Sequence, residues 1–137
     1  MNRTDFQEIA EIRLRESRAL LAAGFPEGAY YLAGYAMECA LKACIAKRTR
    51  EHDFPDKKLV SESYTHNLKE LLRVAELNRE LDQAMQADSV MKSNWITVQD
   101  WSETSRYARK TTSDAAGLLQ AIEDPNGGLL PWVQLRW

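Results

Sequence analysis

The chain has 137 residues, 45% hydrophobic and 28% charged, with a formal net charge of −2. That length suits one domain over 1–137 and a core burying roughly two-thirds of the unfolded surface, so no staples are required. The charge excludes a global basic field for capturing nucleic acid, although local basic clusters remain open.

The first segment is charged and carries no signal-like apolar run, and no stretch of the chain is long enough to span a membrane. A cytoplasmic, reducing location is expected, with no membrane contact. Thr4 is the expected N-cap of the first helix, with Asp5 and Glu8 in its first turns. Phe6, Ile9, Ala10, Leu14, Leu20 and Leu21 form its apolar face up to Ala23. Gly24 reads as the residue after the helix and Pro26 as the first residue of the next.

The second helix is expected over Pro26–Lys47. Ala29, Leu32, Ala33, Ala36, Ala40, Leu41, Cys44 and Ile45 recur at three- and four-residue spacing and share one broad face. Tyr31, Tyr35, Glu38 and Lys42 follow a second line. Glu38 precedes Lys42 by four residues, the favourable order for a helical ion pair worth roughly 0.2–0.5 kcal/mol. Gly34, inside the helix, costs roughly 1 kcal/mol relative to Ala, and with its small neighbours permits close approach by another helix. Cys39 and Cys44 point away from each other around the axis, read as small core residues, and do not pair. With His52 and His66 they show no metal-binding spacing, so no metal and no cofactor are expected.

A connector over 49–64 follows, containing Pro55. Thr65 is the expected cap of a third helix with Leu68, Leu71, Leu72 and Ala75. Asn78 and Leu81 to Met91 suggest another helix, broken near Ser93-Asn94, with Asn94 capping a short turn that holds Trp95, Ile96 and Val98. Residues 100–105 read as irregular, followed by Arg106-Tyr107-Ala108. Thr111 or Thr112 opens a helix through Ile122, and residues 124–128 form a break. The tail from Leu129 is apolar. It either closes the bundle or packs on a second subunit, with Pro131 confined to a first helical turn. Without strand alternation, the expected fold is all-α: an antiparallel up-and-down bundle of four to five main helices.

Three pieces in order carry a family resemblance: Tyr31-Leu32-Ala33-Gly34-Tyr35-Ala36-Met37-Glu38-Cys39-Ala40-Leu41-Lys42, then Thr65-His66-Asn67-Leu68 with Leu71-Leu72, then Ser105-Arg106-Tyr107. Together they resemble HEPN domains over most of the chain. The resemblance implies a helical bundle that usually dimerises. It also implies a place among RNA-cleaving toxins, partners of minimal nucleotidyltransferases, and defence or stress proteins. RNase members carry an arginine followed, after four to six residues, by a histidine. No arginine in this sequence meets that condition; Arg48 and His52 fall one residue short.

Metal-free RNA cleavage needs a base near neutral pKa and a cation on the phosphate. Arg106 suits the second role, and His66 the first if the fold brings it beside Arg106, within one chain or across a dimer. Tyr107 is a phenol of high reference pKa and a poor base. The plain alternatives are a backbone-bonded His66 and an Arg106 paired with a carboxylate such as Glu38. Tyr31, Tyr35, Glu38, Arg106, Arg109 and Lys110 are the candidate ligand-binding residues. The four tryptophans read as core or interface anchors before base-stacking platforms. Three functions follow: a dimeric, non-catalytic binding module, alone or with a nucleotidyltransferase partner; a metal-independent endoribonuclease with a rearranged Arg106, Tyr107 and His66 site; or a nucleotide- or small-ligand-binding bundle. RNA or nucleotide is the expected nucleic-acid partner, and DNA is not.

Overall fold

The computed structural model describes residues 1–49, 53–54 and 56–137. Among these, eight α-helices and one 3-10 turn account for the regular structure, with no strand. They are α1 (Arg3–Ala22), α2 (Pro26–Lys47), α3 (Lys57–Glu62), α4 (Leu68–Val74), α5 (Asn78–Ala87), α6 (Ser89–Gln99), the 3-10 turn (Glu103–Tyr107), α7 (Thr112–Glu123) and α8 (Leu129–Gln134). Only α1, α2, α5, α6 and α7 reach ten residues, which matches the expected four to five main helices.

α2 is the hub. It packs on α1, α4, α7, α8 and the 3-10 turn. Its bounds are those the sequence predicts: Pro26 supplies the fixed φ of a first turn, and Gly24, at φ +86°, reverses the chain after α1. Beyond Ala29 the helix is buried on almost every side. Small side chains at Ala29, Ala33, Gly34, Ala36 and Ala40 let neighbours approach closely. At Gly34 the neighbour is a side chain rather than a helix backbone. The Trp101 ring lies where a Cβ would be, its nearest atoms 2.2 Å from that position.

The caps differ from several sequence expectations because adjacent polar residues compete for each helix end, and local or tertiary hydrogen bonds decide between them. α1 is capped by Asn2, not Thr4: Asn2 accepts from the Asp5 amide at 3.0 Å while Asp5 accepts from the Asn2 amide at 2.8 Å. α4 is capped by Asn67, not Thr65, whose hydroxyl donates to Glu70 at 2.7 Å. The break after α5 falls at Asp88, which ends α5 and caps α6, not at Ser93-Asn94. Asn94 sits inside α6 and donates to the Gly127 carbonyl at 2.9 Å. The connector holds α3, capped by Asp56, and residues 103–107 form a 3-10 turn rather than an irregular run. α7 opens at Thr111 with a reciprocal cap to Asp114, as expected.

The apolar tail closes the bundle. Leu129, Leu130, Trp132 and Val133 are buried within one chain, and Pro131 stands in the first turn of α8. Arg136 lies over the Trp132 ring and reaches Glu80 at 2.6 Å, while Arg3 donates to the Trp137 carbonyl at 2.7 Å. Trp95 and Trp101 are also buried, so three of the four tryptophans are core anchors. Among the described residues, no helix is long and apolar enough to cross a membrane.

Two glycines give opposite expectations for one chemical change. Gly34→Ala drives a methyl into Trp101 and should cost about 1–3 kcal/mol of stability. Gly117→Ala, on the open side of α7 with nothing within 4 Å, should add about 0.4–1 kcal/mol. Urea denaturation of both variants beside the parent measures the pair. Equal and small effects would remove the role given to the Gly34–Trp101 contact.

Candidate functional site

The second line on α2 becomes a strip of chemistry. Tyr31 and Tyr35, one turn apart, stack with ring centres 6.3 Å apart and planes 11° from parallel. The Trp101 indole, seated on Gly34, meets Tyr31 at 6.1 Å between centres. The three rings form an aromatic step, with both tyrosines half-buried. Burial raises the Tyr35 hydroxyl's pKa first, with Cys39 and Glu38 adding to it, so the group stays a neutral phenol. Arg13 on α1 stands close to Tyr35 and is locked onto Glu16 at 2.8 and 2.7 Å.

The 3-10 turn brings Arg106 to this step. Its guanidinium lies 4.9 Å from the centre of the Tyr107 ring, in cation–π range. Its pKa is raised, by Tyr107 first and by Tyr31 as a smaller cause, and the turn that carries it packs on α2. Arg106 does not pair with Glu38. Tyr107 is 81% exposed. Arg109 is exposed and only 3.9 Å from Glu27, a surface pair of little energetic weight. The Lys110 ammonium stands 4.3 Å from the centre of the Tyr30 ring. Tyr31, Tyr35, Arg106, Arg109 and Lys110 therefore gather around the first half of α2.

Glu38 sits two turns further along, inside the protein. It is 2% exposed. One oxygen, Oε1, accepts from the Lys42 ammonium at 2.9 Å and lies 2.9 Å from His66 Nδ1. The other, Oε2, is buried without a hydrogen-bond partner among the described residues, as are Trp101 Nε1 and Ser105 Oγ. The helical ion pair predicted between Glu38 and Lys42 is present. The burial of Glu38 is not legible in the helix pattern: α4 packs on α2 and the segment just before it, with His66, covers the carboxylate.

His66 and Arg106 are thus tied to different ends of the strip. Tyr31 and Glu38 are seven residues apart, roughly 10 Å along the axis. Arg48 is engaged elsewhere: it donates to the Val74 carbonyl and to Glu76 at 2.7 Å, closing the end of α4. His52 lies outside the described residues. A groove of about 360 Å³ between α1, α2 and α3, lined by Phe6, Lys42, Ile45, Leu59 and Tyr64 among others, lies at the far end of α2 from Tyr31. Sequence reasoning did not join Trp101 and Arg13 to the strip. Only contacts between distant segments do so. Among the described residues, no group of histidine, cysteine and carboxylate side chains is arranged to hold a metal ion.

Both cysteines are buried and unpaired. Burial pushes the Cys39 thiol from 9.0 to about 11, with Glu38 adding to the shift, and pushes Cys44 from 9.0 to about 11 as well. The folded state holds these protons more tightly than the unfolded chain. Their stabilising contribution is therefore complete below pH 9.0 and lost as pH rises toward about 11. Iodoacetamide at pH 8 should label neither thiol until urea unfolds the protein, and a double Cys→Ala variant should show a shallower alkaline loss of stability. Rapid labelling of the native protein would contradict this burial.

The family model described as "HEPN domain" matches residues 4–124 of the chain. No curated protein matches, and no solved structure matches. The matched span runs from α1 to just past α7 and includes the whole aromatic strip. The chain belongs to the HEPN domain family.

Proposed function

We propose that this HEPN-family domain is a binding and interaction module whose contact surface is the aromatic strip with its arginine rim. The observation that carries the reading is the exposed Arg106–Tyr107 pair beside the stacked Tyr31 and Tyr35. A flat ring accepts a base of any sequence, and a guanidinium accepts a phosphate through two parallel bonds. Arg109 and Lys110 extend the positive charge without making the chain basic as a whole. The ligand class is RNA or a nucleotide. The missing arginine–histidine spacing supports binding over cleavage, because it removes the family's own base. A dimer, and pairing with a minimal nucleotidyltransferase in a toxin–antitoxin or stress system, rest on family membership alone. The apolar tail lends the dimer no support, since it packs within its own chain.

A second reading, a metal-independent nuclease using Arg106, Tyr107 and His66, draws support from the His66–Glu38 contact. It requires a substrate that bridges roughly 10 Å between the His66 and Arg106 anchor points. Cleavage of pooled RNAs that disappears in both His66→Ala and Arg106→Ala would put this reading first.

Fluorescence anisotropy with a labelled single-stranded RNA tests the binding reading directly. Tyr107→Ala should weaken binding by about 1–3 kcal/mol if a base stacks there. Arg106→Ala should weaken it and lower the salt slope by about one unit. Affinity unchanged in both variants, or no binding by folded protein, would overturn the proposal.

A further inference from the structure

We propose that the groove between α1, α2 and α3 is a binding site for a small uncharged amphiphile: an apolar body with one oxygen acceptor, of the kind of a medium-chain alcohol. This goes beyond the binding role proposed for the aromatic strip and does not depend on it. The groove shares no residue with the stacked rings or the arginine rim.

The groove follows from the shortness of α3. That helix has six residues against 22 in α2, and it is held against α4. Of its apolar residues, Leu59 turns half inward and Val60 stays 41% exposed. Phe6 on α1 and Ile45 and Ala46 on α2 line the same space of about 360 Å³. Close-packed protein leaves few gaps larger than a water molecule. Small-molecule sites begin at roughly 300 Å³ and are mostly apolar, with a few placed polar groups. This groove has that size and that lining, at the small end of the range.

Lys42 supplies the placed polar group. It is the one charged side chain in the described lining, and it is 16% exposed. Its ammonium makes one hydrogen bond among the described residues, to Glu38 Oε1 at 2.9 Å. An ammonium has three donors, so two N–H groups remain for an oxygen in the groove. A ligand oxygen there takes the place of water, while the apolar body clears water from the walls.

The same ion pair decides which oxygen fits. Lys42 is already neutralised by Glu38, which is 2% exposed, so the pair offers the groove no net charge. A ligand carboxylate would gain Lys42 but meet the Glu38 carboxylate behind it, and would give up its water shell as well. A ligand ammonium would face the lysine as a like charge. A hydroxyl oxygen accepts from Lys42 at neither cost.

Primary n-octanol is the probe, read by titration calorimetry and by ¹³C methyl spectra of the whole chain. Binding should saturate, and the methyl signals of Ile45, Leu59 and Val60 should shift most. From hexanol through heptanol to octanol, each added methylene should tighten binding about fourfold. Octanoate and octylammonium should each bind about tenfold more weakly than octanol. Ala46→Leu puts bulk into the groove and should remove binding. If that variant does not fold, Val60→Trp at the exposed rim fills the same space. The inference is overturned by no saturable binding to the folded parent, by shifts centred elsewhere, or by an affinity independent of chain length. Octanoate or octylammonium matching the alcohol, or full affinity in a folded groove-filling variant, overturns it equally.

Discussion

The constraint on which the structure turns is the thinness of α2. A helix that must be touched by α1, α4, α7, α8 and a 3-10 turn cannot carry large side chains on every face. Its alanines and Gly34 let these neighbours come close, and most of the core gathers around them. The contact of Trp101 with Gly34 shows the trade. A glycine in mid-helix costs roughly 1 kcal/mol in backbone freedom. In return a large indole, 3% exposed, is buried against the backbone, worth more than that by its area alone. The same contact delivers the ring to Tyr31, so a packing solution also builds the candidate surface.

Enclosing α2 this thoroughly has a polar consequence. Glu38 is carried into the interior by its neighbours' burial, and an ion there is costly unless it is paired. Lys42 and His66 both bind the same oxygen, which leaves Oε2 without a protein partner. An apolar residue of similar size would fill this place at less cost in desolvation. The carboxylate in this place is a cost in stability, offset by the charge of Lys42 and the contact with His66.

The sequence was most legible where one residue type had a single plausible role. Pro26 and Gly24 bracket the turn between α1 and α2 because no neighbour can replace a fixed φ or a φ of +86°. Caps were less legible because Asn, Asp, Ser and Thr are near-equivalent there. Asn94 was taken by the Gly127 carbonyl and Thr65 by Glu70, leaving Asp88 and Asn67 to cap. α3, at six residues, is too short for periodicity to show. The Tyr31–Tyr35 step and the Glu38–Lys42 pair were readable from four-residue spacing. Trp101 and His66 were not, since their places depend on contacts across tens of residues.

Arg48 bears on what became of the family's nuclease signature. The nearest sequence match to that signature begins with this arginine, yet its guanidinium closes the end of α4. The last carbonyls of a helix have no partner inside it, and a cation there satisfies them and the helix dipole together. Glu76 follows with φ 58°, uncommon for a residue with a Cβ, and its carboxylate is the second group that Arg48 holds. Moving Arg48 to a phosphate would release both. A side chain committed to such a junction is a poor candidate for catalysis, whereas Arg106 is exposed and lies over the ring of its chain neighbour Tyr107, so it can turn to a ligand without undoing the fold. The exposed cation at Arg106, not the sequence near-match at Arg48, is the one placed to contribute to the proposed binding surface.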